Sequence, residues 1–172
     1  MISFPQQILR LARTGQAIAA LMSELPQEQA RWKPTPDKWS VLEILNHLLD
    51  EERADFRMRL DLLLHHPDRD WPKIDPEAWA RDRDYNSRDL GESIANFKQE
   101  RRASIEWLEG LSEPRWDNTY NHSSAGPLTA GSLFASWLAH DLLHIRQICR
   151  VQWQYLTQHA APHSTMYAGD LV

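Results

Sequence analysis

Apolar residues recur along this chain at steps of three and four, the period of a helix packed on one face. The first run, over roughly 3–23, places Ile8, Leu11, Ala12, Ile18, Ala19 and Met22 on one stripe. LPQEQARWKPTPDKW follows, and its three prolines let no helix pass through unbroken. SVLE at 40–43 is a capping box: Ser40 accepts from a free backbone N–H while Glu43 reaches back. A second helix is predicted from there to about 65, on Leu42, Leu45, Leu49, Phe56, Leu60 and Leu63. A long proline-punctuated joint comes next, with one short helical turn around 76–82. The third helix is expected from near Ser87 to about 110, with Leu90, Ile94, Phe97, Ile105 and Leu108 inward. Residues 112–128 read as loop, and Thr129 caps a fourth helix that continues to about 157. No segment alternates as a strand does. The pattern predicts an all-α four-helix bundle in a single domain spanning 1–172, its topology left open by two long joints.

Composition narrows the partners. With 172 residues, 42% of them hydrophobic, the chain can bury a core without covalent staples. The net charge of −5 speaks against nucleic acid, which needs a concentrated excess of Lys and Arg. The densest basic patch, KQERRAS at 98–104, reads as a solvated helix face. No apolar run reaches the roughly 20 residues of a membrane span, and the N-terminus lacks the pattern of a signal peptide. A single cysteine, Cys149, excludes an intramolecular disulfide framework and is read as a small buried hydrophobe. The expectation is a cytoplasmic protein with a small-molecule substrate and neither nucleic acid nor membrane as partner.

WLAHDLLHIRQ, residues 137–147, raises a chemical question. His140 and His144 lie one helical turn apart, where two imidazoles can grip one metal ion without distorting the backbone. They fall on the series Leu133, Trp137, His140, His144, Gln147 and Val151, the predicted inward seam of the fourth helix. Buried imidazoles cost free energy unless their nitrogens are satisfied, which a metal does and ordinary core hydrogen bonds can also do. A catalytic site wants a third ligand and an open position. His47 is the other histidine well inside a predicted helix. On the wheel it lies far from its helix's apolar stripe, beside Glu51 and Met58, so it reads either as an exposed histidine or as the third ligand.

KWSVLEILNHLLDEE and HDLLHIRQI resemble the two motifs of the DinB/YfiT-like metal-binding superfamily, W-S-x-x-E-x-x-x-H-L and H-x-x-x-H-x-x-Q. The order of elements is similar over nearly the whole chain. The resemblance implies an up-down-down-up four-helix bundle with long crossover connections. It also implies a divalent metal ion, zinc or nickel, held by His47, His140 and His144, with a metal-bound water or thiolate as the reacting group. Relatives include thiol-dependent transferases, so a low-molecular-weight thiol is a possible cosubstrate; homodimers are common in the family.

Two functions from different classes stay open at this point. One is a metal-dependent enzyme acting on a small molecule, a thiol (S-)transferase or a hydrolase. The alternative is a non-catalytic metal-binding or stress-associated bundle, its metal structural or vestigial. Around the ligands, Gln147 could orient a ligand or serve packing. Glu51 and Glu52 could each accept from an imidazole N–H or pair with an arginine at the bundle edge. Trp137 is core or a pocket wall. His65 and His66 end the second helix, where protonated rings favour the C-terminus. His122 lies in a loop that could approach the cleft, and His159 and His163 flank an exposed tail.

Overall fold

The computed structural model describes residues 3–122 and 126–171, the side chain of His122 excepted. Helix α1 spans Phe4–Ala20, and a five-residue helix α2, Gln27–Arg31, interrupts the proline-rich joint. The Ser40–Glu43 box then starts α3, Val41–Glu51: Ser40 Oγ accepts from the Glu43 N–H at 3.1 Å, and Glu43 Oε2 accepts from the Ser40 N–H at 2.7 Å. The second limb continues to His65 as expected, but not as one α-helix. A π-helical turn, Glu52–Phe56, separates α3 from α4, Arg57–His65. The short helix α5, Pro76–Asp82, falls where the joint was predicted to turn. The last two long helices are α6, Leu90–Glu109, and α7, Ala130–His159, the latter capped by the Thr129 side chain on Ser132 N.

Cross-helix hydrogen bonds fix the directions. Thr14 meets Asp141 and Leu21 accepts from Gln152, so α1 and α7 run the same way. Asn46 meets Ser93 and Arg57 meets Ser104, so the second limb runs with α6. Leu11 on α1 accepts from Arg101, while Gln27, beyond the end of α1, reaches Leu90 at the start of α6; those two helices are antiparallel. The order is up-down-down-up. Its parallel second and third limbs require the long crossover of residues 66–89.

The fold is all-α as expected, but the joint before α7, read as loop, holds a short two-stranded ribbon. Strands β1, Thr119–His122, and β2, Gly126–Thr129, pair antiparallel with Thr119 opposite Thr129. Four residues per strand are too few for alternation to show in sequence. The tertiary fit is plain: Asn118 donates to the carbonyls of Leu63 and Leu64, pinning the ribbon to the end of α4.

Two apolar clusters fill the bundle. One gathers Ile18, Leu42, Leu45, Phe97 and Ile148; the other gathers Leu11, Leu60, Leu108, Phe134 and Trp137. In all four limbs a polar position lies between the segments feeding them: Thr14, Glu52, Arg101 and Asp141. Arg101 is 5% exposed, so KQERRAS is not a solvated face throughout. Its guanidinium Nε and Nη2 donate to Glu52, each at 2.8 Å; Nη1 and Nη2 donate to Asp141 at 2.6 and 2.9 Å, and Nη1 to the Leu11 carbonyl at 2.7 Å. Thr14 donates its hydroxyl to Asp141 as well. Burial opposes the Arg101 charge, but Glu52 and Asp141 outweigh it and raise the pKa.

Candidate metal centre

His47 and Glu51 stand one turn apart on α3, and His140 and His144 one turn apart on α7. The bundle brings the three imidazoles together, each offering one nitrogen within 4.8 Å of the others. His47 is only 5% exposed. The expectation of an exposed ring fails because α3 is buried on every side. Segment 76–87 covers its outer face: buried Asp50 accepts from Tyr85 Oη and Arg83 Nη1, both at 2.6 Å. Burial would raise the Asp50 pKa, but the bonds from Tyr85 and Arg83 and the charge of Arg53 hold it below the usual value. Burial, then the bond to Asp50 and its charge, raise the pKa of Tyr85, with Arg83 and Arg88 opposing.

On α7 the seam runs one position off its predicted centre. Asp141 and Ile148, fully buried, occupy it, while His140 and Gln147 are half-buried on the cleft edge. Cys149 is likewise half-buried rather than core. His144 Nδ1 lies 2.7 Å from Gln147 Oε1. An amide oxygen can only accept, so the proton of neutral His144 sits on Nδ1 and its Nε2 carries a lone pair. That Nε2 is 3.0 Å from His140 Nε2. Two ring nitrogens at this distance share either a proton or a cation. Ligands about 2.0–2.1 Å from a tetrahedral ion stand roughly 3.3 Å apart, close to the spacing found. His47 Nδ1 adds a second sign of incompleteness: it is buried with no hydrogen-bond partner of good geometry among the described residues. The donor set therefore fits a borderline divalent ion.

Electrostatics agree with that fit. Burial, then the neighbouring His144 and His140, depress the His47 pKa to about 3, with Asp50 and the Pro76 carbonyl pulling weakly the other way. Burial and His144 bring His140 to about 4, and burial also lowers His144. All three rings are neutral near pH 7, the form that ligates metal. Glu51 Oε2 is 3.0 Å from His140 Nε2, and Oε1 is 3.7 Å from His47 Nε2. Burial, with Asp55 nearby and Arg59 opposing, pushes the Glu51 pKa up to about 8. With burial dominant, the metal-free Glu51 carboxyl holds its proton at neutral pH.

The triad lies at one side of a cavity of about 850 Å³ also lined by Asp37, Lys38, Trp39, Glu51, Pro76 and Gln147. Of the four expected neighbours of the ligands, Glu51 and Gln147 are there. Glu52 and Trp137 are not. Glu52 faces Arg101 behind the cleft, and Trp137, 1% exposed, stacks on Phe56 with centroids 5.7 Å apart in the core. Consecutive residues on a helix point about 100° apart, so Glu51 meets the cleft and Glu52 meets Arg101; the π-helical turn re-phases the residues that follow. Trp39, whose ring centroid is 4.7 Å from that of His47, was within the resembling motif but had no role assigned. Asp37, Ile74, Asp75 and Glu77 come from proline-rich joints without periodic signal. His65 ends α4 and lies 3.7 Å from Asp61; His159 and His163 are exposed. The side chain of His122 lies outside the described residues.

A family model describing the DinB superfamily matches residues 10–148. The chain belongs to the DinB superfamily. Its fold is that of YfiT from Bacillus subtilis, reported as a probable metal-dependent hydrolase with an unusual four-helix bundle topology. That structure matches with a TM-score of 0.77 and 17% identity, covering 88% of this chain and 87% of the other. No curated protein sequence matches this DinB-superfamily chain closely enough to count as a relative. Among the described residues no helix is long and apolar enough to cross a membrane.

Proposed function

We propose that His47, His140 and His144 hold one divalent ion, zinc or nickel, and that this DinB-superfamily protein is a metal-dependent enzyme that hydrolyses a small ester or amide. The observation that carries the reading is the convergence of three imidazoles from two helices, each with one nitrogen within 4.8 Å of the others, beside an open cavity. A sealed site would favour a structural metal; this one is wide enough for a substrate. A bound divalent ion supplies Lewis-acid activation of water and of a carbonyl oxygen at neutral pH.

The chain's own residues supply the rest. Gln147 fixes the His144 tautomer. Glu51, next to the triad and lining the cavity, is protonated in the metal-free protein; a bound divalent ion would favour its carboxylate, which takes the proton that a water loses on attacking the carbonyl carbon. As the C–O or C–N bond breaks, Glu51 returns that proton to the leaving group. Trp39, Ile74 and Pro76 form a partly apolar wall for the remainder of the substrate.

Elemental analysis of the untagged protein tests the reading, beside a His47→Ala, His140→Ala double variant. About one divalent metal per chain is expected, lost in the double variant while helical circular dichroism survives. No metal in the wild type after dialysis against zinc or nickel overturns it. Esterase activity that follows metal content and falls about a hundredfold or more in Glu51→Gln is the second expectation.

A further inference from the structure

Charge along the cavity lining is one-sided. Asp37, Asp75 and Glu77 line it, and Lys38 is the one lysine or arginine among its described lining residues. Lys38 is 3.3 Å from Asp37, so that pair is close to neutral. Asp75 accepts from the Ala78 N–H and is otherwise exposed; Glu77 is exposed, with no salt-bridge partner among the described residues. Deeper in, the imidazoles are neutral ligands. Molecules that enter through the same donor atom meet the same interior, so the acidic residues toward solvent, Asp75 and Glu77, set the preference for the charge at a substrate's distant end.

We propose that the cavity selects small molecules whose far end is neutral or cationic and discriminates against carboxylate-bearing ones. The inference rests on the metal reading above and deepens it. If a thiol serves as cosubstrate, it is an amino or uncharged thiol, not a carboxylate-rich peptide thiol. His47, 5% exposed, has a ring nitrogen with no well-formed hydrogen bond among the described residues and lines the cavity beside His140 and His144; Asp75 and Glu77 supply the charge preference.

Two simple thiols of opposite charge probe this in the full-length protein loaded with cobalt(II). Cysteamine and mercaptoacetate are titrated separately, and the thiolate-to-cobalt absorption band in the near ultraviolet gives each Kd. Thiol acidity differs between the probes, so the quantity that decides is the ratio of the two Kd values and its change on substitution. Glu77→Lys should shift that ratio toward mercaptoacetate by about fivefold at low salt, the effect of reversing one exposed charge several ångströms away. Asp37→Lys, on a different segment, should shift it in the same direction. In the wild type, 0.5 M salt should shrink the preference. A ratio that neither substitution nor salt moves overturns the proposal while leaving the metal site standing. Failure to develop the cobalt ligand-field spectrum before any thiol is added overturns both readings together.

Discussion

Two buried polar groups lie back to back in this bundle, built from neighbouring residues, and they could hardly differ more. Glu52 and Asp141 belong to the Arg101 cluster; Glu51 and His140, one residue before each, belong to the cleft. In the cluster every described donor of the guanidinium finds an oxygen, and the two carboxylates are shared by one cation and Thr14. In the cleft, nitrogen faces nitrogen, one buried ring atom has no well-formed hydrogen bond among the described residues, and a carboxyl is held protonated. A closed network holds helices together. An open one at the same depth, beside a cavity, is waiting for a ligand. Burial of charge alone separates nothing; completeness of the hydrogen bonding does.

Breaking the closed side should have the largest effect. Arg101→Met strips two buried carboxylates of their cation at once, and loss of one partner from a buried pair costs about 3–5 kcal/mol. Urea unfolding should register a loss of that size, and Arg101→Lys, which keeps the charge but not the fork, a smaller one. If Arg101→Met unfolds at the wild-type midpoint, the cluster is not what holds the bundle.

The open side should show itself through pH in the metal-free protein. The unfolded histidines titrate near 6.5, the folded ones at about 3 for His47 and about 4 for His140. Between those values the unfolded chain binds more protons, so stability falls as pH drops below 6.5. Glu51 acts in reverse: with a folded pKa of about 8 against 4.5, the folded chain holds its proton longer, and that stability is lost as pH rises from 4.5 to 8. Two or more histidines outweigh one glutamate on the acid side, which places the maximum near pH 6.5 with a fall of a few kcal/mol toward pH 4. A His47→Asn, His140→Asn variant should flatten the acid limb, and Glu51→Gln the alkaline one. An acid limb of equal steepness in the histidine variant sinks this assignment.

The same contrast explains what could be read from the sequence. Helix limits, caps and the short turn at 76–82 follow from local periodicity and capping chemistry, which need no tertiary information. So does the His140–His144 pair. Arg101 and Asp141 escaped because an arginine within KQERRAS carries no mark of burial; only the approach of α1, α3 and α7 encloses it. The wheel left His47 undecided for a related reason. A wheel assumes one buried face, and α3 has none exposed, because a loop without periodicity covers its outer side. Glu52, 1% exposed, takes the arginine partner that was one of its two readings; what the sequence did not show is that this arginine is the buried Arg101.

A smaller effect should come from Gly15. A Cβ there would stand 2.9 Å from Arg101 Cγ and 3.1 Å from its Nη1. A free arginine would step aside. This one is fixed at its head by two carboxylates, so the strain cannot be relieved at the stem. Gly15→Ala should therefore cost about 1–3 kcal/mol, the range for overpacking, although alanine is the better helix former. In the Arg101→Met background the penalty should shrink, since the methionine stem is free to move. Additive losses in the double variant would show that the two positions do not interact.

The smallest effect on stability, and the sharpest test of the difference between the two groups, belongs to Gln147. It is half-buried at the cleft edge, and its described polar contact is the acceptor bond to His144 Nδ1. Gln147→Leu removes that acceptor without stranding a buried charge, so the metal-free protein should unfold within about 0.5 kcal/mol of the wild type. The ring is then free to carry its proton on Nε2, the atom proposed to face the metal. Loss of such an orienting partner lowers metal affinity by about 10–100-fold, which competition against a chromogenic chelator measures directly. An unaltered affinity would mean that His144 is held by its own rotamer and that the cleft is as self-sufficient as the Arg101 cluster. A weakened affinity with unchanged stability is what an open network predicts: its residues are arranged for something that arrives later, and the fold does not depend on them.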